Sequence, residues 1–188
     1  MLEIAAEHAS DSATHRQVEG NEPTALLLSG EPKNGTLLAV DLGLKTGLAL
    51  FTQDGKLLWY RSHNFGSMER LKRGAPGILD SIPGLVALVI EGGGNLARVW
   101  EKEAERREAF CIRIGAEEWR HMFLHAREQR TGTDAKRYAG DFARKVIEWA
   151  NATRPTSLRH DAAEAIMIGL WGLLHLNWLA ELPKELQR

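Results

Sequence analysis

The sequence predicts a mixed α/β fold, a five-stranded sheet flanked by helices, and three observations carry that expectation. Two apolar runs, TLLAVDLG (36–43) and GLVALVIEGGG (84–94), each close on an acid with glycine nearby, as buried central strands do. Two further runs, TGLALFT (46–52) and KLLWYRSHNF (56–65), flank QDGK (53–56), whose Asp-Gly pair signals a hairpin. Stretches with helical spacing follow and alternate with the strands. The resulting order, β-β-β-α-β-α-β-α-α-α, is one that folds in layers.

Composition permits such a fold. The 188 residues, 44% hydrophobic and 26% charged, can bury a core without staples. Residues 1–35 stand apart: Glu3, Glu7, Asp11, Glu19, Glu22 and Glu31 face only Arg16 and Lys33. With scattered Ser, Gly, Pro and Asn they predict a flexible arm, holding one weak element at ALLL (25–28). The arm lacks an apolar h-region, so no secretory signal is expected. A single cysteine, Cys111, excludes an internal disulfide and fits a reducing, cytoplasmic setting.

The hairpin makes the first three strands antiparallel neighbours. SMERLKRGAPGILDSI (67–82) predicts a helix interrupted at Gly74 to Pro76. NLARVWEKEAERREAF (95–110) places Leu96, Val99, Trp100 and Ala104 on one stripe, with Asn95 as N-cap. Its EKEAERRE portion (101–108) is mixed in sign and reads as a salt-bridged face. CIRIGA (111–116) is a short strand, AEEWRHMFLHA (116–126) a helix, TGTD (131–134) a turn and cap, and AKRYAGDFARKVIEWAN (135–151) a helix. Pro155 breaks the chain before the last helix. The apolar stretch at 165–180 contains His175 and Asn177 and falls short of the roughly 20 apolar residues of a membrane span. It reads as a core helix of a soluble chain, so the domain is expected over 36–180, with 181–188 as a tail.

That helix opens on RHDAAEAIMIGLWGLLH (159–175), with acids where grease would be expected. Asp161 and Glu164, at i and i+3, share one face of the helix start. Asp41 ends the first strand and Glu91 the fourth. If those strands are neighbours, both carboxylates emerge at one edge of the sheet, where α/β proteins build sites. Each acid alone has a plainer role: a turn former at Asp41, a helix-start acid at Glu91, a cap at Asp161. Together they put four carboxylates within reach of one point. Such a group repels itself unless a cation sits among it. Hard divalent ions take carboxylate oxygens and keep waters for phosphate substrates.

The residues also carry a resemblance. VDLGLKTGLAL (40–50) resembles the D-x-G-x-x-x-G hairpin of the ribonuclease H-like nucleases. VIEGGG (89–94) resembles the strand-4 glutamate segment of RuvC-type Holliday junction resolvases, and HDAAEAIMIG (160–169) their closing acidic helix. Trp119, Gly132 and Lys136 match the family's W…G…K segment. The resemblance covers roughly 36–175 and implies a ribonuclease H-like fold and a metal-dependent endonuclease of branched DNA. It implies that Asp41, Glu91, Asp161 and Glu164 hold two Mg²⁺ or Mn²⁺ ions, with Asp41 between them, and that Lys136 contacts phosphate. The family has aspartate where this chain has Glu164, one methylene longer. It also implies a two-fold homodimer acting on a symmetric junction, and the exposed part of helix 95–110 is one candidate interface. YqgF-type proteins share the opening hairpin, so a nucleic-acid-binding protein that cuts nothing is the alternative.

Charge patterning agrees with a polyanion. Residues 119–145 hold Arg120, Arg127, Arg130, Lys136, Arg137, Arg144 and Lys145 against Glu128, Asp134 and Asp141. Arg130, Lys136 and Arg137 are the expected DNA contacts, with Lys45 projecting from the first hairpin. Gly92 to Gly94 either admit a phosphate to the backbone or form a tight connection. His160 adjoins the acids as an orienting neighbour or a proton carrier.

Overall fold

A computed structural model describes residues 35–187; the arm expected over 1–35, with its ALLL segment, lies outside them except for Gly35. The elements are β1 (Thr36–Asp41), β2 (Lys45–Thr52), β3 (Leu57–Asn64), α1 (Met68–Asp80), β4 (Leu85–Glu91), α2 (Gly94–Glu105), β5 (Phe110–Ile114), α3 (Ala116–Phe123), α4 (Gly132–Trp149) and α5 (His160–His175). Short 3₁₀ turns occupy Ala126–Gln129 and Lys184–Leu186. The strands form one mixed sheet in the order β3-β2-β1-β4-β5. β1, β2 and β3 pair antiparallel through tight connections, as the hairpin signal predicts. β4 and β5 join parallel to β1 by way of the helical crossovers α1 and α2.

Period-two alternation decides which residues face which layer. Leu37, Ala39, Ala49 and Phe51 point to the face covered by α3, α4 and α5. Leu38, Val40, Leu48 and Leu50 point to the other, covered by α1 and α2. β1 is therefore buried on both sides, which is why it reads as continuous grease. Helix α5 is buried almost all round and packs across β1 and β2. Among the described residues no helix is long and apolar enough to cross a membrane. The segment expected as a tail packs back through Leu186, which is buried against this core.

Three local expectations are corrected. Helix α1 runs unbroken from Met68 to Asp80 with Pro76 inside it. The proline removes one helical hydrogen bond at a cost of about 3 kcal/mol. Burying Leu71, Ile78 and Leu79 against the sheet offsets that, at about 1.5–3 kcal/mol each. Helix α2 begins at Gly94 with Gly93 as N-cap, so Asn95 lies in the first turn and caps nothing. Gly92, at φ 108°, turns the chain straight off β4 and starts the helix early. The same helix stops at Glu105, well before residue 110, because Glu108 enters the left-handed region and leads into β5. Thr131 caps α4 as expected, its hydroxyl accepting from the Asp134 amide at 3.0 Å.

Candidate functional site

The sheet brings the first two acids together by register. β1 and β4 are parallel neighbours, and Asp41 stands directly beside Glu91 at their shared carboxyl end. On its other side Asp41 is paired with Gly47 of β2. Any side chain at Gly47 would overlap the backbone carbonyl of Asp161, so only glycine lets the first turn of α5 rest against the sheet there. That contact delivers the other two acids. Asp161 and Glu164 open, together with Asp41, onto a cleft of about 670 Å³.

Lys45, Lys136 and His160 line the same cleft, with Arg159 beside them. Glu91 does not line the cleft and stands beside Asp41 on the neighbouring strand. The turn that carries Lys45 is fixed by Thr46, whose buried hydroxyl donates to the Gly43 carbonyl. Arg130 and Arg137 do not line the cleft. Arg137 pairs with Asp134 at 3.3 Å and lies over the Tyr138 ring, and Arg130 is exposed on the surface.

The electrostatics of the four acids are unbalanced. Burial pushes the Asp41 carboxyl up to about 8, and the charges of Glu164, Glu91 and Asp161 push the same way; Lys136 opposes them. Glu91 is also raised, chiefly by burial, although its hydrogen bond from Trp119 works against the rise. Lys136 and Arg120 are cations set against these four acids. All four ligand candidates are carboxylates, which suits a hard divalent ion and no soft one.

Protein donors hold three of the acids. The Trp119 indole N–H donates to Glu91 Oε2. The Ser62 hydroxyl donates to Asp161 Oδ2. Arg120 Nη2 pairs with Glu164 Oε1 at 3.3 Å while its guanidinium lies over Trp119. Among the described residues no three side chains already converge as a metal-ligand group. The Nε–H of Arg120 is buried and finds no acceptor among the described residues.

Sequence reasoning missed Ser62 altogether, since a lone serine in an edge strand carries no signal. It counted Arg120 only as one charge in a basic stretch, and placed Trp119 by family pattern without a partner. Arg159 stood in the quoted opening of the last helix and was passed over.

No family model matches the chain, and no curated protein does. Among solved structures, the chain is similar to the catalytic core domain of BIV integrase, at 8% identity and a TM-score of 0.32. The alignment covers 73% of this chain and 82% of that one. A likeness this loose has no bearing on function.

Proposed function

We propose that the chain is a ribonuclease H-like, RuvC-like endonuclease that hydrolyses DNA phosphodiesters using two Mg²⁺ or Mn²⁺ ions. The observation that carries this reading is the meeting of Asp41, Glu91, Asp161 and Glu164 at one sheet edge, with Asp41 still raised despite Lys136 and the Arg120–Glu164 pair. Those four would hold the ions. When bound, the ions would polarise the scissile phosphate and make water a stronger nucleophile at neutral pH.

The chain's own part is positioning. Lys136 and Lys45 hold the phosphate backbone at the cleft, and Arg159 extends that grip. Ser62 and Trp119 orient Asp161 and Glu91. Arg120 keeps Glu164 paired until it is needed, then has a free donor for a phosphate oxygen. His160, at the cleft wall, orients its neighbours without joining the carboxylate set. The substrate proposed is branched DNA, with two copies of the chain acting on a two-fold junction.

One observation favours the second reading, a nucleic-acid-binding protein of the same fold that does not cut. Trp119, Ser62 and Arg120 tie off three of the four acids, as they would in a site that never binds metal. A nicking assay across four-way, flap, single-stranded and RNA–DNA hybrid substrates separates the two. Cleavage with Mg²⁺ or Mn²⁺, and binding without turnover with Ca²⁺, is expected, because calcium takes looser coordination shells. Absence of cleavage on every substrate leaves the binding protein.

A further inference from the structure

The face of the sheet opposite α5 carries a second charged feature. Helices α1 and α2 pack side by side over Leu38, Val40, Leu48 and Leu50 and leave an open groove of about 640 Å³ between them. Its floor is partly apolar, with Met68 and Val99. Its charged walls are Lys72 of α1 and, from α2 and its C-cap, Arg98, Lys102 and Arg106.

Of the four acids that made this segment look mixed in sequence, two are spent on ion pairs, and neither Glu105 nor Glu108 lines the groove. Glu103 is buried and paired with Arg107 at 2.8 Å and Arg106 at 3.0 Å. Glu101 turns away to Arg113 on β5, at 3.1 Å. Arg107 also reaches Asp80 and the Pro76 carbonyl, tying α2 to α1 and fixing the width of the groove. What remains facing the groove is a basic row of Lys72, Arg98 and Lys102, with Arg106, shared with Glu103, at its end.

The row has a direction. Arg98, Lys102 and Arg106 are four residues apart, one per turn, and so span about 12 Å along the helix. A single small anion cannot bridge that distance. One strand of a duplex presents a phosphate about every 3.4 Å of axis, so the row faces three or four of them. β3, β1 and β4 run the same way, and α1 and α2 both rise from the edge where β3 and β4 end. That edge holds Asp41 and Glu91. The groove therefore leads away from the carboxylate cleft around the rim of the sheet.

We propose that the groove between α1 and α2 is a second nucleic-acid contact, which holds the phosphate backbone of a DNA arm leaving the carboxylate cleft. The inference rests on the reading of the partner as DNA, and it gives α2 a different role from a two-fold interface. A second copy packed on this face would set Arg98 and Lys102 against like charges.

Binding of the full chain to branched duplex DNA, measured in EDTA as a function of salt, tests it. Lys72→Ala/Arg98→Ala/Lys102→Ala should make the plot of log affinity against log salt shallower by about 2–3 units, near 0.9 for each lost contact. All three side chains are exposed, so an unchanged melting temperature verifies the fold. Lys56→Ala/Arg154→Ala, which removes basic charge elsewhere, should leave the slope within about half a unit. An unchanged slope in the triple variant overturns the groove. An unchanged slope together with an altered oligomeric state in sedimentation assigns the face to a second copy and overturns it equally. Because the measurement uses no metal, the nuclease reading can fail in the nicking assay while the groove stands, or the reverse.

Discussion

Glu103, between α1 and α2, and Asp41, at the edge of the sheet, both give up much of their water on folding, and their surroundings answer in opposite ways. Glu103 receives two arginines, and the hydrogen bond from Arg107 holds its carboxyl below the ordinary range despite burial. Asp41 receives three more carboxylates, and burial with their repulsion raises it to about 8. A buried acid that serves the fold comes with its counter-charge in the same chain. One that lacks it is held at the expense of stability, and this is the deficit that the proposed divalent ions would fill. The contrast also separates the two proposed nucleic-acid surfaces: the cleft is acidic at its base, whereas the groove has its one acid neutralised.

The comparison breaks first at Asp41. Asp41→Asn keeps the shape and removes the charge. It should lower metal-dependent cleavage by about 10³-fold or more, the several kcal/mol of a lost ligand. In the absence of divalent ions it should raise the melting temperature at pH 8, by roughly 2–4 °C for each kcal/mol of repulsion relieved. Nicking rate and thermal denaturation on one preparation check both. A variant that cuts normally removes Asp41 from the site; one that melts lower shows that its charge is compensated in the folded state.

Glu103→Gln should do the opposite. Breaking its two arginine contacts should destabilise the chain by about 1.5–3 kcal/mol, read from denaturant unfolding. An unchanged midpoint would make the cluster a surface pairing of no consequence.

The smallest effect is the sharpest test of sign. Asp41 keeps its proton in the folded chain up to about pH 8 but loses it near 3.8 when unfolded. Across that window the folded state binds more protons, so this group's contribution to stability falls as pH rises, by at most about 1.4 kcal/mol per unit. Glu103 works the other way. Its folded value is depressed, so its contribution is full above the ordinary carboxylate range and disappears as pH falls through the folded value. Melting curves from pH 4 to 8 should therefore be flatter in Asp41→Asn than in the parent chain, and saturating Mg²⁺ should flatten the parent likewise. Parallel curves would sink the unrelieved-charge account.

Much of this architecture could be read from the residues in order. Alternation, the Asp-Gly turn, Thr131 before α4 and the greasy run of α5 are local signals, and local signals survive being written as a line. Strand ends at Asp41 and Glu91 and the helix start at Asp161 follow from the same signals. Where propensity alone was consulted, it erred: Pro76 does not break α1, because three buried side chains outweigh one lost hydrogen bond.

Only the tertiary structure decided which of these residues meet. Parallel pairing of β1 with β4 sets Asp41 beside Glu91, and the missing side chain at Gly47 lets α5 come close enough to add Asp161 and Glu164. Ser62 reaches the acids from β3, and Trp119 and Arg120 from α3, elements far from the acids in sequence, so no spacing could foretell them. The stretch EKEAERRE lists charges of both signs in a row, yet folding spends Glu101 on β5 and Glu103 on two arginines, keeps Glu105 and Glu108 out of the groove, and leaves its wall basic. A sequence states how many charges a segment carries. Which of them are cancelled depends on distances across the fold, because electrostatic energy falls with separation in space and not with separation along the chain.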